Sequence, residues 1–574
     1  MNSEKLFDTL SGILGKKNIK YKEFATEYYR KGYRSGSGKA LAVVFPETLV
    51  QQWHVIQCCV DANMIMIMQA ANTGLTEGST PSGDDYDRDI IIINTRRLKK
   101  LILLNHAEQV ISFPGATLHQ LEQTLQPFKR VPHSVIGSSC LGASITGGIA
   151  NNSGGALVKR GPAYTELALY AQVTTEGKLV LINQLGISLG DTPTEILDNL
   201  ENERFQADNL PPSDKLASDQ EYSDRVRDVS ASTPARYNAD KRRLYGASGC
   251  AGKVAVFALR LDTFAMPSQE KVFYVGTNDP AELTTIRQDI LQNFTHLPEV
   301  AEYMHRDVFD IAEKYGKDTT IMIDRLGTTH LPKLFALKGK ATAILNRLPL
   351  LPKEIPDKCL QWLSTFFADQ IPQRLLDFRD RFEHHLILKV SDNGIEEATQ
   401  YFNYSTLFIN KQGDNQAGTL VNSDYIICNQ EEAKMALLHR FAAAGAAVRY
   451  QTIHQDTVED ILALDVALPR NREDWLESLP KAIEEKLLHT LYYGHFFCHV
   501  FHQDYIVKKG VDIEKLKEDI LKELDKKHAK YPAEHNVGHL YQAEKSLREF
   551  YQQLDPTNSF NPGIGKLSKK RNCC

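Results

Sequence analysis

Two stretches late in this chain hold residue types suited to moving protons. AEHNVGHL, residues 533–540, places Glu534, His535 and His539 in a short loop containing a glycine. An unperturbed histidine titrates at about 6.5, so His535 is the expected general base near neutrality. Upstream, the stretch GHFFCHVFHQDY carries His495, His499 and His502. If residues 495–507 form one regular strand, His495 and His502 face opposite sides and cannot share an ion. On a helix, all three histidines fall on one stripe. The aromatic and β-branched content favours the strand.

A different chemistry is written in three glycine-rich loops. QAANTGLTEGSTPSG, residues 69–83, leaves an apolar run ending at Met68; VIGSSCLGASITGGIANNSGGALVKRGP, residues 135–162, has seven glycines; YGASGCAGKVAVF, residues 245–257, spaces Gly246, Gly249 and Gly252 before a strand. Glycine lets the backbone approach a ligand closely, and successive N–H groups in such turns make concave anion sites suited to a pyrophosphate. None matches GxGxxG at a helix start or GxxxxGK[ST], so neither a Rossmann nor a P-loop reading applies. Any one of these loops alone is an ordinary turn. Three, each tied to an apolar strand, suit an extended dinucleotide lying between them.

These loops and side chains need elements to position them. Apolar runs at 41–45, 64–68 and 90–93, with helical spacing over 49–61, give the first unit an α/β character. Residues 187–240 turn polar and acidic, which predicts an exposed insertion of helix and loop, and a strand-like run over 254–261 closes the unit. A second unit starts near Val272 with a strand feeding a helix. The segment 331–381 is basic, with no acid in its first twenty residues, and Phe335, Trp362, Phe366 and Phe367 are interleaved with the charge. It is too short and too charged to span a bilayer but suited to lie on an anionic one. The expected division is an N-terminal helical segment over 1–35, a cofactor unit over 36–265, a second unit over 266–470, and a C-terminal segment over 471–574 that completes the site.

The totals narrow the class. A chain of 574 residues should form two or three domains, and a net charge of −5 argues against nucleic acid as a partner. No uncharged apolar run approaches the ~18 residues of a membrane span. The first residues lack a signal-peptide core. Nine cysteines without regular spacing suit a reducing compartment, and the terminal Cys573-Cys574 is no CaaX box.

NTGLTEGS, GASITGGIANNSGG and YGASGCAGKVAVF resemble the flavin-contacting segments of the PCMH-type FAD-binding domain, the vanillyl-alcohol oxidase fold. RKGYRSGSGKALAVVFP, EYMHRDVFDIAEKYGKD, HRFAAAGAAVRYQ, YYGHFF and YPAEHNVGHLY are similar to the bacterial FAD-containing D-lactate dehydrogenase family within that superfamily, from about residue 28 onward. The resemblance implies an α+β protein: a two-subdomain PCMH-type FAD-binding domain plus an α/β cap. It implies FAD contacts from Ala70, Ala71, Asn72, Thr73, Gly74, Gly78 and Ser79, then Gly137, Ser144 and Gly154, then the backbone of Val256. It further implies D-lactate as substrate, a quinone as acceptor, and a peripheral position on the cytoplasmic side of the inner membrane. Arg440 would hold the substrate carboxylate, because its fork matches a carboxylate bidentately, with Arg449 in reserve. Glu534 and His535 would complete the catalytic set. Related dehydrogenases ligate zinc with a glycine-histidine pair, a second histidine seven residues on and a later glutamate. Gly494-His495, His502 and Glu534 keep that pattern, but FFCHVF replaces the turn-forming glycines and Asn536 stands where a glycine is usual. Two other functions remain open at this point: an FAD enzyme for another D-2-hydroxy acid such as D-2-hydroxyglutarate, and a non-catalytic flavin- or membrane-binding scaffold.

Overall fold

Strands β1 (Ile19–Lys20), β2 (Ala42–Val44), β3 (Ile65–Gln69) and β4 (Ile90–Asn94) form a sheet in the order β1-β2-β4-β3, parallel except for β1. β2 and β4 are buried throughout, which is why they read as unbroken Ala, Val and Ile runs. The helix Leu49–Asp61 crosses from β2 to β3, and Thr48 caps it by accepting from the Gln51 N–H. This computed structural model describes residues 3–134, 142–326, 354–405, 407 and 422–572, apart from positions 209, 212 and 368. The N-terminal residues are not a separate helical segment. Ile19 pairs with Val44, and Leu6, Leu10 and Leu14 bury in the same core as Val55 and Ile56.

A second sheet follows from β5 (Leu101–Leu104), β6 (Gln109–Ser112) and, after the short β7 (Arg130–Val131), β8 (Ala168–Val173), β9 (Leu179–Asn183) and β10 (Ala255–Asp262). Its order is β5-β6-β10-β8-β9, all antiparallel, while β7 pairs only with β11 (Phe264–Ala265). The polar segment 187–240 is not an exposed insertion. Its helix Pro193–Glu201 buries Ile196, Leu197 and Leu200 against the first core, and Tyr222, Val226, Val229 and Ala235 enter the core of the next domain. In that helix Glu195, Asp198 and Glu201 stay outside the core while the apolar stripe turns in, as in an amphipathic surface helix, whereas the Asp219 side chain is buried against Arg225 and Arg243.

The cap is one seven-stranded antiparallel sheet. Its strands are β12 (Glu270–Thr277), β13 (Val300–His305), β14 (His384–Ser391), β15 (Ser423–Ile427), β16 (Val458–Ala467), β17 (Leu487–His495) and β18 (Val500–Lys508), ordered β15-β12-β14-β13-β17-β18-β16. Alternation along the strands sends Tyr303 and Tyr505 into one core, with helix Pro280–Asn293, and Met304, Tyr493 and Ile506 into another, with helix Gln430–Ile453. The chain end then returns to the first subdomain, where Asn561 N donates to Met66 O and Lys253 Nζ to Asn558 Oδ1.

Residues 331–353 of the basic segment, Phe335 among them, lie outside the described residues. In its described part the helix Ile355–Ser364 and the turn after it leave Trp362 and Phe366 62% and 69% exposed. Among the described residues, no helix is long and apolar enough to cross a membrane.

Candidate active site

β17 ends at His495. Residues Phe496–Cys498 then make one 3-10 turn, and His499, with φ 53°, reverses the chain into β18. Residues 495–507 are therefore a hairpin, and the strand reading that put His495 and His502 on opposite sides is overturned. Tyr493 pairs with His502 across the hairpin, so His495, two residues on, shares the face of His502. Gly494 permits this close turn, since a Cβ there would fall 2.7 Å from Phe501 Cα.

The two rings meet through their Nε2 atoms, 3.5 Å apart, and Glu534 Oε2 lies 3.3 Å from His495 Nε2. A carboxylate stands behind each histidine. Glu302 Oε1 is 2.5 Å from His495 Nδ1, and Asp465 Oδ1 is 3.5 Å from His502 Nδ1. Such partners fix the tautomer and turn the other ring nitrogen toward the centre. Each carboxylate is itself held. Arg440 Nη2 reaches Glu302 Oε2 at 2.7 Å, Arg236 Nη2 reaches Glu534 Oε1 at 2.5 Å, and the Glu534 N–H donates to Asp465 Oδ2 at 2.6 Å.

Charge is concentrated here under burial. Burial alone would push His495 down, but Glu302 and Glu534 overcome it and hold the imidazolium up to about 10. Burial opposes ionisation of Glu534 too, yet Arg236 and His495 hold its carboxyl well below the usual range. Asp465 goes the other way: burial raises it to about 6 even with His535 nearby. His502 is kept neutral by burial and by the charge on His495. Two Nε2 atoms and a carboxylate oxygen, all within 4.8 Å of one another, with both Nδ1 atoms backed by acids, fit a dication of the zinc class.

The other expected residues fall as follows. His535 is partly exposed, with Nε2 3.9 Å from Asp465 Oδ2. Arg440 lies 4.4 Å over the Tyr493 ring with its fork turned to Glu302. Arg449 is a brace outside the site, pairing with Asp318 at 3.0 Å and Asp357 at 2.7 Å. It ties the helices Lys317–Leu326 and Ile355–Ser364 to the long helix.

In the first loop, Ala70, Ala71 and Thr73 are half-buried, and Asn72, at φ 56°, accepts from Ser79 Oγ. A Cβ on Gly74 or Gly78 would meet nothing within 4 Å, so the loop borders open space of the kind a cofactor fills. Ser144 accepts from the Gly147 N–H and caps the short helix Ile145–Ala150. The Val256 carbonyl is already taken by Gln52 Nε2 at 3.0 Å. Gly137 lies outside the described residues. Gly154 backs onto the histidine cluster, because a Cβ there would lie 2.5 Å from the Glu534 carboxyl carbon. Sequence reasoning missed Arg236, Glu302 and Asp465. The last two had a signal: Glu302 is the lone acid of its strand, VAEYMH, and Asp465 interrupts the apolar second half of its strand, LALDVA, where an unpaired charge would be too costly to bury.

Two sheets carrying cradle loops, with an antiparallel cap lowering a histidine–carboxylate cluster onto them, define an FAD-binding flavoprotein of the PCMH type. Solved structures agree on the fold: p-cresol methylhydroxylase with substrate bound superposes with TM-score 0.55 at 13% identity, over 99% of this chain and 97% of that one. The 4-ethylphenol oxidase from Gulosibacter chungangensis does so with TM-score 0.56 at 11% identity, over 99% and 97%. The family described as FAD binding domain matches residues 40–183, and that described as D-lactate dehydrogenase, membrane binding, matches 272–573. Quinone-dependent D-lactate dehydrogenases are similar over the whole chain. The Escherichia coli (strain K12) protein is 53% identical, covering 100% of this chain and 98% of its own length, and the Haemophilus influenzae protein is 54% identical, covering 100% and 99%. That of Corynebacterium glutamicum is 42% identical over 99% and 97%. The chain belongs to the quinone-dependent D-lactate dehydrogenase family, and its cofactor is FAD.

Proposed function

We propose that this chain oxidises D-lactate to pyruvate and passes the electrons to a quinone at the membrane, with His535 accepting the substrate's hydroxyl proton. One observation carries the placement of the chemistry: Gly154, on a cofactor loop, touches Glu534, so cofactor cleft and proton-handling cluster share a wall. Bound FAD supplies the two-electron acceptor for the Cα hydrogen and the later donor to quinone. His535 reaches the cleft from the loop that bears Glu534, and an ionised Asp465 beside it steadies the imidazolium once the proton arrives. Glu534, locked by Arg236, keeps its charge through the reaction. His495, His502 and Glu534 would hold a divalent cation, whose charge would steady the substrate's oxygens.

The electron exit lies on the cytoplasmic side of the inner membrane. Segment 331–381 meets anionic headgroups with its lysines and arginines, and Trp362 and Phe366 enter the interface. This reading is supported by exposed aromatics beside a basic stretch, inside the region matched by the membrane-binding family.

The test is anaerobic. Addition of D-lactate, L-lactate and D-2-hydroxyglutarate in turn to the purified holoprotein should bleach the flavin rapidly with D-lactate alone. Bleaching by none of the three, with FAD present, refutes the function. Metal analysis of His495→Ala beside the parent reads the cation site separately.

A further inference from the structure

One helix of the first subdomain turns its rings outward. In Glu23–Arg30 the inner face is polar as well as apolar: Thr26 is buried, the Tyr29 ring meets Phe45 edge-on at 5.2 Å, and Arg30 Nη1 donates to Gly38 O at 3.0 Å. On the opposite stripe Phe24 and Tyr28, one turn apart, are 77% and 69% exposed, and Tyr21, just before the helix, is 61% exposed. A surface helix ordinarily gives that side to charged residues. A contiguous exposed aromatic patch marks a surface made to meet a partner.

The charge around the patch identifies the partner's chemistry. Residues 16–39 hold eight Lys or Arg against two Glu, in a chain whose net charge is −5. Both acids are already paired, Glu27 with Lys31 at 2.7 Å and Glu23 with Arg30 at 3.8 Å. Lys16, Lys17 and Lys22 are exposed and form no ion pair among the described residues. A second copy docked through the same face would set like charge against like charge. An anionic bilayer suits both parts of the surface: aromatic side chains settle at headgroup depth, tyrosine with its hydroxyl in water, and each nearby lysine adds attraction. The helix is also fastened to the cofactor unit. Gln69 Nε2 donates to Tyr29 O and Asn72 Nδ2 to Lys31 O, each at 2.8 Å, so it stands on β3 and on the first glycine-rich loop.

We infer that Tyr21, Phe24 and Tyr28, with Lys16, Lys17 and Lys22, form a second membrane contact, carried by the cofactor subdomain, whose partner is an anionic lipid surface. It lies outside residues 272–573, the region matched by the membrane-binding family, and it rests on the membrane reading above. Two contacts on different subdomains fix the orientation of the chain on the bilayer, where one leaves it free to pivot. This one leaves a single helix between the lipid and the strand that leads into the first cofactor loop.

The test uses the holoenzyme with vesicles of equal parts phosphatidylethanolamine and phosphatidylglycerol, and with phosphatidylcholine vesicles as the neutral control. Lys16→Gln, Lys17→Gln and Lys22→Gln combined should weaken sedimentation with the anionic vesicles by about 10- to 100-fold, and Phe24→Ser with Tyr28→Ser by about tenfold or more. FAD content and anaerobic bleaching by D-lactate in solution should stay parental in both. Phe24→Trp reads the place of contact: at saturating lipid, brominated phosphatidylglycerol should quench emission beyond that of the parent, since Trp53 and Trp475 are buried. Parental affinity in both combined variants, or no added quenching, overturns the contact. A dimer of the parent in solution that Phe24→Ser with Tyr28→Ser abolishes assigns the face to a second copy and overturns it too. The added quenching should persist when Trp362→Ser and Phe366→Ser are also present, so failure of the cap contact and failure of this one are read apart. A parent that binds no anionic vesicle refutes the membrane reading itself.

Discussion

Replacing Glu302 by glutamine tests the cluster at its least visible point. Glu302 accepts from His495 Nδ1 at 2.5 Å and from Arg440 Nη2 at 2.7 Å, so one change breaks two charge-assisted bonds while keeping the shape. Each such bond contributes about 1.5–3 kcal/mol. The larger effect is the buried Arg440 left without a counter-charge, which typically costs about 3–5 kcal/mol. His495 loses one of its two carboxylates and its fixed ring orientation, so flavin reduction by D-lactate should slow by about 10- to 100-fold. FAD content should hold, because Glu302 lies on a cap strand and touches none of the cradle loops. The decisive measurement is a double-mutant cycle with Arg440→Met, read by denaturant unfolding of the cap. The double variant has no stranded cation and should be less destabilised than the sum of the singles by at least about 1.5 kcal/mol. Additivity within about 0.5 kcal/mol would refute the shared-carboxylate picture. A pH series on the metal-free protein, where His495 is free to protonate, adds a sign. His495 is raised from its usual 6.5 to about 10, so its stabilisation is full below 6.5 and is lost as pH rises through 10. In Glu302→Gln that alkaline loss should be smaller and should begin at lower pH.

Three further outcomes follow from the same geometry. Gly154→Ala drives a methyl into the Glu534 carboxylate, so the rate of flavin reduction per bound FAD should fall by about 100-fold or more; a parental rate would show that Glu534 moves freely. Asp465 titrates at about 6, and the rate should fall as pH drops through that value because a protonated Asp465 no longer steadies His535; Asp465→Asn should lower the plateau and remove that limb. Trp362→Ser with Phe366→Ser should weaken sedimentation with anionic vesicles by about tenfold or more, and anaerobic bleaching by D-lactate in solution should be unaffected.

The cradle loops were legible because their signal is local. A loop that must approach a ligand needs small residues in sequence order, and 69–83, 135–162 and 245–257 show them whatever the rest of the fold does. The histidine hairpin was not legible for the opposite reason. Its turn has no glycine, proline or asparagine, and the reversal is carried by His499 in a left-handed conformation that sequence gives no cause to expect. Read as one strand, period-two alternation then separated two histidines that the hairpin brings together. Arg236 was hidden differently. It lies at the end of a stretch whose composition reads as solvent-facing, and only the tertiary path from Tyr222 to Ala235 carries it under Glu534. The pairing of Arg440 with Glu302 shows a third limit, since a guanidinium's type is visible in sequence but its carboxylate partner on another strand is not.

Why the site needs the whole chain follows from where its parts originate. The cluster takes Arg236 from the end of the 187–240 segment, Glu302 from β13, Asp465 from β16, the histidines from the β17–β18 hairpin and Glu534 from a loop beyond them. The cap sheet alone would orient the histidines but leave Glu534 with His495 as its one cation, because Arg236 comes from the 187–240 segment and also donates to Gly155 O. The cofactor subdomains alone would keep their loops but lack His535, the proposed proton acceptor. The return of the chain end closes the two together. Asn561 Nδ2 donates to Gly78 O on the first glycine-rich loop and to Ala251 O on the third, while Gly565 N donates to Gly538 O beside the candidate catalytic residues. One short segment thus holds two candidate cofactor loops and the candidate catalytic loop in register. Asn561→Ala, which touches no candidate catalytic group, should therefore loosen FAD and slow its reduction together. Loss of one without the other would mean the cradles and the cluster are positioned independently.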